Sequence, residues 1–167
     1  MSEAHPCPSL MAVGTKLCSN DSEIFKDHTL YRRTIGVLQY LTLTRPDISF
    51  IVNKLSQFLQ APIELQWQAC KRVLRYLKGT QDHGLLFKLV AFLSVECYTD
   101  VDWGSNLDDR WFASGYCVYL GLNLIQWSFK KQKVVALSSI EAESRALAQT
   151  ATEIAFSEQV FGAKIIS

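Results

Sequence analysis

The sequence lacks a large net charge of either sign, a Cys-x-x-Cys pair and a long apolar run. Its 17 Lys and Arg residues nearly balance 16 Asp and Glu, giving a formal net charge of +1, so no global charge points to a nucleic acid or a membrane surface. The longest apolar stretch, 85–95, is interrupted by Lys88 and Ser94 and is too short to span a bilayer. We therefore expect no membrane partner, and any basic binding surface must be local.

The cysteines argue against two kinds of site. Their number is odd and none forms a Cys-x-x-Cys pair, which argues against a zinc site or a disulfide framework. Residues 1–8 lack an apolar stretch preceded by positive charge, so they do not form a signal peptide. Reduced thiols and no secretion signal favour the cytoplasm or the nucleus. The five cysteines are Cys7, Cys18, Cys70, Cys97 and Cys117.

Helical patterns occupy the first half of the chain, which at 49% apolar residues can build a core. Residues 1–28 show no periodicity and are interpreted as an irregular lead-in. Residues 29–80 form a helical segment in which Pro46 and Pro62 each open a helix, and Gly79 ends the last one. The middle helix carries an apolar stripe at helical spacing: Ile48, Ile51, Val52, Leu55 and Leu59.

The periodicity then changes from helix to strand. Residues 81–94 are interpreted as a linker and 95–167 as a β-β-β-α unit, which makes the predicted fold class α+β. Strands are expected over 95–103, 116–120, 124–129 and 134–137, and a helix from about 138 to 161.

The last helix contains two glutamates with different explanations. Glu141 follows Ser138 at the spacing of a capping box, which accounts for it. Glu143 falls on a helical stripe with Ile140 and Leu147, so we expect it on the core-facing side, where a carboxylate needs a cation or hydrogen-bond donors.

Two aspartates interrupt the strand that begins at Val95. Alternation places Asp100 and Asp102 on one face, and it does not distinguish between them. An edge strand with a solvated face explains both residues and is favoured on alternation alone. The functional alternative is that Asp100 faces the last helix and converges with Glu143 on a hard cation such as magnesium.

Basic residues cluster on the third predicted helix. Lys71, Arg75 and Lys78 share one face and could follow a nucleic-acid backbone. A solvated helix face explains this cluster about as well, so both interpretations stay open.

Several segments resemble the Pol polyprotein of copia-like LTR retrotransposons. LYRRTIGVLQYLTLTRPDISFIVNKLSQF (30–58) and WQACKRVLRYLKGT (67–80) are similar to the segment that follows the polymerase palm. YTDVDWG (98–104) and SSIEAE (138–143) look like the start of that family's ribonuclease H domain. The resemblance implies a reverse-transcriptase connection or thumb-like segment followed by the first half of a ribonuclease H-like domain.

The same resemblance implies a site and a reaction. Carried over by position, Asp100 and Glu143 would be catalytic and would bind Mg²⁺, while Asp102 has no assigned role. In the family, two magnesium ions hold the scissile phosphate of the RNA strand in an RNA–DNA hybrid. Ribonuclease H also uses later aspartates that do not occur before Ser167, so the expectation is a catalytically inactive remnant whose Asp100 strand lies at an exposed sheet edge. A non-catalytic nucleic-acid-binding module and an unselected gene fragment are the alternatives.

Overall fold

A computed structural model describes residues 5–11, 17, 22–91, 94–102, 113–131 and 138–161. The chain divides into two compact units, Met1–Gly84 and Leu85–Ser167, and the division falls within the predicted linker. In the described part of the chain, no helix is long and apolar enough to cross a membrane.

The first unit is helical, as the periodicity predicts. Its helices are α1 (His28–Leu41), α2 (Ser49–Ser56), which a short 3-10 turn at Pro46–Ile48 precedes, and α3 (Glu64–Gly79). Asp27 caps α1, because its Oδ1 accepts a hydrogen bond from the Leu30 amide at 2.8 Å. Pro46 therefore opens the 3-10 turn that leads directly into α2, whereas α3 begins two residues after Pro62.

The predicted apolar stripe of the middle helix forms much of the core in this unit. Four of its members are buried and the fifth, Leu59, packs against them. Tyr31 of α1 is fully buried, and its hydroxyl donates a hydrogen bond to the Leu55 carbonyl at 2.9 Å. Burying a phenol is favourable only when its hydroxyl finds such a partner.

The lead-in segment is irregular, yet its described residues pack on the helices. Ile24 forms an isolated antiparallel bridge with Ile63. The next residue, Phe25, stacks on Trp67 with 4.8 Å between ring centroids. Cys7 is buried, and its amide donates to the Arg75 carbonyl at 3.3 Å.

The second unit contains a three-stranded antiparallel sheet and one helix. Its elements are β1 (Val95–Asp102), β2 (Ala113–Leu120), β3 (Asn123–Lys131) and α4 (Ser139–Phe161), and the strand order is β1-β2-β3. Gly121, with φ of 59°, makes the hairpin turn between β2 and β3. The predicted α+β class is confirmed, and among the described strands β1 lies at an edge. The strand predicted at 134–137 lies outside the described residues.

Helix α4 covers one face of this sheet. Gln126 of β3 donates a hydrogen bond to Glu153 of α4 at 2.8 Å, and a second one to the Tyr116 hydroxyl at 3.1 Å. Ala146 and Thr150, one helical turn apart, are buried. The face that contains Tyr116 is therefore the one that α4 contacts.

Candidate functional site

Asp100 lies on the face of the sheet away from α4. It is paired across the strands with Gly115, while its neighbour Thr99 is paired with Tyr116, which belongs to the α4 side. Because successive residues of a strand point to opposite faces, Asp100 and Tyr116 lie on different sides of the sheet. The Asp100 side chain is exposed, and its Oδ1 accepts a hydrogen bond from the Val101 amide at 2.9 Å.

Glu143 is also exposed, so the expected core-facing stripe is wrong. Its supposed companions on the stripe are exposed too, Ile140 at 73% and Leu147 at 57%. The buried side chains of α4 are instead the small ones of Ala146 and Thr150, among the residues that the structure describes. The serine part of the predicted capping box is confirmed, since the Ser138 hydroxyl accepts a hydrogen bond from the Glu141 amide at 3.2 Å. The Glu141 carboxylate forms an ion pair with Arg145 at 2.8 Å.

The described structure does not bring Asp100 and Glu143 together on one face of the sheet. The hypothesis required Asp100 to face the last helix, and the strand register places it on the opposite face. Within the described residues, no three His, Cys, Asp or Glu side chains are grouped so as to hold a metal ion. The side chain of Asp102 lies outside the described part. The catalytic and metal-binding roles of Asp100 and Glu143 thus remain predictions from the resemblance.

The basic cluster lies on α3 with the spacing that the sequence predicted, but part of it binds the protein itself. Lys71 is 3.7 Å from the Glu64 carboxylate. The Arg75 guanidinium donates to the His5 carbonyl at 2.9 Å, which holds the lead-in segment on α3. Lys78 is exposed in the last turn. The cluster therefore combines a structural contact with an accessible positive charge.

A polar cluster that the sequence did not predict surrounds Arg45, which is only 5% exposed. Its guanidinium donates two hydrogen bonds to Asp47, at 3.0 and 2.8 Å. It donates two more to Thr80, at 2.8 Å each to the carbonyl and the hydroxyl. The Tyr76 hydroxyl donates to Asp47 at 3.0 Å. We call these four residues the Arg45 clasp, since they tie the turn before α2 to the end of α3.

The electrostatics of the Arg45 clasp follow from its hydrogen bonds. Burial alone would raise the pKa of the Asp47 carboxyl, but the hydrogen bonds from Arg45 and Tyr76 outweigh it and hold the pKa below its ordinary value. The bond to Asp47 also raises the pKa of Arg45. Arg45, Asp47 and Tyr76 of the clasp line an open cavity of about 400 Å³ together with Asp82 and His83. The Arg-Pro-Asp sequence at 45–47 is a local sign of the pair, but nothing local indicates Thr80.

Comparison with curated proteins finds transposon relatives. The chain is 47% identical to the retrovirus-related Pol polyprotein from transposon RE2 of Arabidopsis thaliana, over 92% of this chain and 11% of that protein. It is 48% identical to the corresponding protein from transposon RE1 of the same plant, over 92% of this chain and 10% of that protein. The Pol polyprotein from transposon TNT 1-94 of Nicotiana tabacum is 38% identical over 74% of this chain and 9% of that protein. No protein-family model and no solved structure matches the chain.

The fold is thus of the mixed α+β class, with a helical unit and a β-β-β-α unit. The relatives indicate that the chain derives from a transposon. The chain belongs to the family of retrovirus-related Pol polyproteins of copia-type transposons. It spans about a tenth of the length of these relatives.

Proposed function

We propose that residues 95–167 are a ribonuclease H-like unit by ancestry and that this chain does not itself cleave RNA–DNA hybrids. The observation that carries the proposal is the placement of Asp100 on the face of the sheet away from α4, which bears Glu143. Hydrolysis assisted by two metal ions requires carboxylates that converge on both ions. Two exposed carboxylates on different sides of a sheet cannot do this.

The order of elements supports the ancestry part of the proposal. Three antiparallel strands followed by a helix occur in the order that the resemblance implies. The relatives are Pol polyproteins that match nearly the whole chain. Hydrolysis of the RNA strand, with Mg²⁺ as cofactor, is accordingly the ancestral activity that we assign to this unit.

A cleavage assay tests the inactivity. The purified chain is incubated with an end-labelled RNA–DNA hybrid and magnesium, beside an authentic ribonuclease H as the positive control. We expect no product above the buffer background. Cleavage by the wild-type chain that disappears in Asp100→Asn would contradict the proposal, because the substitution removes the charge of one carboxylate while keeping its size. Cleavage that persists in the variant would indicate a contaminating nuclease and calls for repurification before the comparison.

Binding of a hybrid without cleavage is a second candidate, and the helical face of α3 favours it. Lys71, Arg75 and Lys78 recur at i, i+4 and i+7, so they lie on one side of the helix. If these cations contact phosphates, hybrid binding should weaken steeply with salt, and each lysine changed to Gln should reduce the slope of log K against log salt by about 1. Lys88→Gln, in the other unit, is the matched control. Salt-independent binding would exclude this surface.

A further inference from the structure

Residues 5–9 of the lead-in segment lie along α3, and we call them the N-terminal strap. Two arginines of α3 hold this strap. Arg72 donates a hydrogen bond from Nε to the Ser9 carbonyl at 3.0 Å and another from a terminal nitrogen to the Ser9 hydroxyl at 2.6 Å. Arg75 donates from Nε to the His5 carbonyl at 2.9 Å. Because the two arginines are three residues apart on a helix, the strap occupies two neighbouring cations.

The strap has little else to hold it in place. Its one buried side chain is Cys7, which is 7% exposed and whose amide donates to the Arg75 carbonyl at 3.3 Å. Pro6 lies so close to Gly79 that a Cβ added to the glycine would be 3.0 Å from the Pro6 Cβ. The other four residues of the strap are exposed. A short segment with exposed hydrogen bonds and one buried side chain opens at a small free-energy cost.

The acceptors that the strap offers to the arginines are uncharged. They are the carbonyls of His5 and Ser9 and the Ser9 hydroxyl. These groups satisfy guanidinium donors but leave the positive charges without a counter-charge. A phosphate supplies both the acceptors and the opposite charge, and its two-pronged contact with arginine is the stronger one. The strap is therefore an occupant that a phosphate can displace.

We propose that the N-terminal strap is an internal competitor of nucleic acid, which covers Arg72 and Arg75 until a phosphate backbone displaces it. This inference rests on the second candidate function, binding of a hybrid by α3, because Arg75 belongs to that basic cluster. The apparent affinity then falls in proportion to the fraction of molecules whose strap is open. Because such coupling is reciprocal, bound nucleic acid should release the strap and expose Cys7.

Two measurements on the full chain test the proposal: the rate of Cys7 alkylation, read by mass spectrometry, and the dissociation constant for an RNA–DNA hybrid at low salt. Gly79→Ala places a Cβ against Pro6 and loosens the strap while it keeps every cation. We expect Cys7 to react about tenfold faster in this variant and the hybrid to bind about fivefold more tightly. Saturating hybrid should also accelerate Cys7 alkylation in the wild-type chain.

Two controls accompany these measurements. Gly84→Ala, where an added Cβ meets nothing within 4 Å, is the matched variant and should change neither readout. Cys70 is fully buried in the helical core and should stay unmodified in every sample, which shows that the helical unit has not unfolded.

Arg72→Gln separates release of the strap from contact with phosphate. It removes both hydrogen bonds to Ser9, so Cys7 alkylation should accelerate. It also removes a cation, so the hybrid should bind less tightly than it binds to Gly79→Ala.

Two results would overturn the proposal, and they differ in what they say of hybrid binding. Salt-dependent binding that is equal in the wild type and Gly79→Ala, with Cys7 still protected in the bound wild-type chain, would overturn the role of the strap and leave hybrid binding by α3 intact. Absence of binding by a Gly79→Ala chain whose Cys7 has become reactive would overturn hybrid binding by α3, and the role of the strap with it.

Discussion

The Arg45 clasp makes a quantitative prediction about the stability of the helical unit. Arg45→Ala removes four hydrogen bonds from a guanidinium that is almost fully buried. Hydrogen bonds to a charged group contribute about 1.5–3 kcal/mol each when measured singly, and bonds within one network do not add fully. The Asp47 side chain is 35% exposed, so solvent screens its part of the interaction. We expect Arg45→Ala to lower the free energy of unfolding by about 3 kcal/mol.

Arg45→Lys and a double-mutant cycle separate the parts of this loss. Lysine keeps the charge but cannot form the two-pronged contact with Asp47, so we expect an intermediate loss of about 1–2 kcal/mol. Arg45→Ala combined with Asp47→Asn should cost less than the two single changes together, with a coupling of about 1–2 kcal/mol. Urea unfolding followed by far-ultraviolet circular dichroism measures these changes. Hydrogen exchange of the α3 amides shows that the loss belongs to the helical unit.

The coupling between Arg45 and Asp47 must also depend on pH. The folded state holds the pKa of Asp47 below its ordinary value of 3.8, so folding favours the ionised carboxylate. Its contribution is therefore complete above that ordinary value and is lost as the pH falls through the lower folded-state pKa. A coupling energy that is the same in neutral and strongly acidic solution, or an Arg45→Ala loss below about 1 kcal/mol, would refute this account of the clasp.

Three further predictions follow from single contacts. Tyr31→Phe should lower the free energy of unfolding by about 1–2 kcal/mol, because the Leu55 carbonyl loses the hydrogen bond from the buried Tyr31 hydroxyl. Tyr40→Phe, at an exposed position of the same helix, is the control and should leave the free energy of unfolding unchanged. Burial raises the pKa of the Cys70 thiol to about 12, so mass spectrometry after treatment with a thiol reagent at neutral pH should find Cys70 modified only when the helical unit unfolds. Ser138→Ala removes the hydroxyl that accepts a hydrogen bond from the Glu141 amide in the first turn of α4, and it should destabilise that helix by about 1 kcal/mol. Hydrogen exchange of the α4 amides measures this change, and unchanged protection of those amides in the variant would exclude the cap.

Hydrophobic periodicity predicted the helices of the first unit well, because each helix buries one apolar stripe in a common core. Ile51 and Leu55 lie on the predicted stripe of α2 and are buried. Pro46 marks the start of its helical region, since proline fixes the backbone without needing its missing amide donor. The Arg45 clasp could not be predicted in the same way, because its contact with Thr80 spans 35 residues and depends on how α2 and α3 pack.

The candidate site shows where periodicity is ambiguous. Helix α4 has an apolar stripe through Ile140 and Leu147, which are exposed, and small residues at Ala146 and Thr150, which are the buried ones in the described part of the helix. A hydrophobicity pattern predicts that the larger apolar side chains face the core. A single helix on a small sheet, however, can bury only one of its own sides. Alternation correctly predicted that Asp100 and the half-buried Thr99 lie on opposite faces of β1. The functional alternative expected Asp100 to face the last helix, whereas the strand register places it on the face away from α4.

The most direct test of the account is whether Asp100 and Glu143 bind one metal ion together. Nuclear magnetic resonance spectra of the full chain, recorded during titration with paramagnetic Mn²⁺, report which backbone amides lie near the bound ion. We predict no joint, selective broadening of the amides around these two residues at low metal concentration. Strong broadening at both positions that disappears in Asp100→Asn would contradict the account, because it would show that the two carboxylates converge on a common ion.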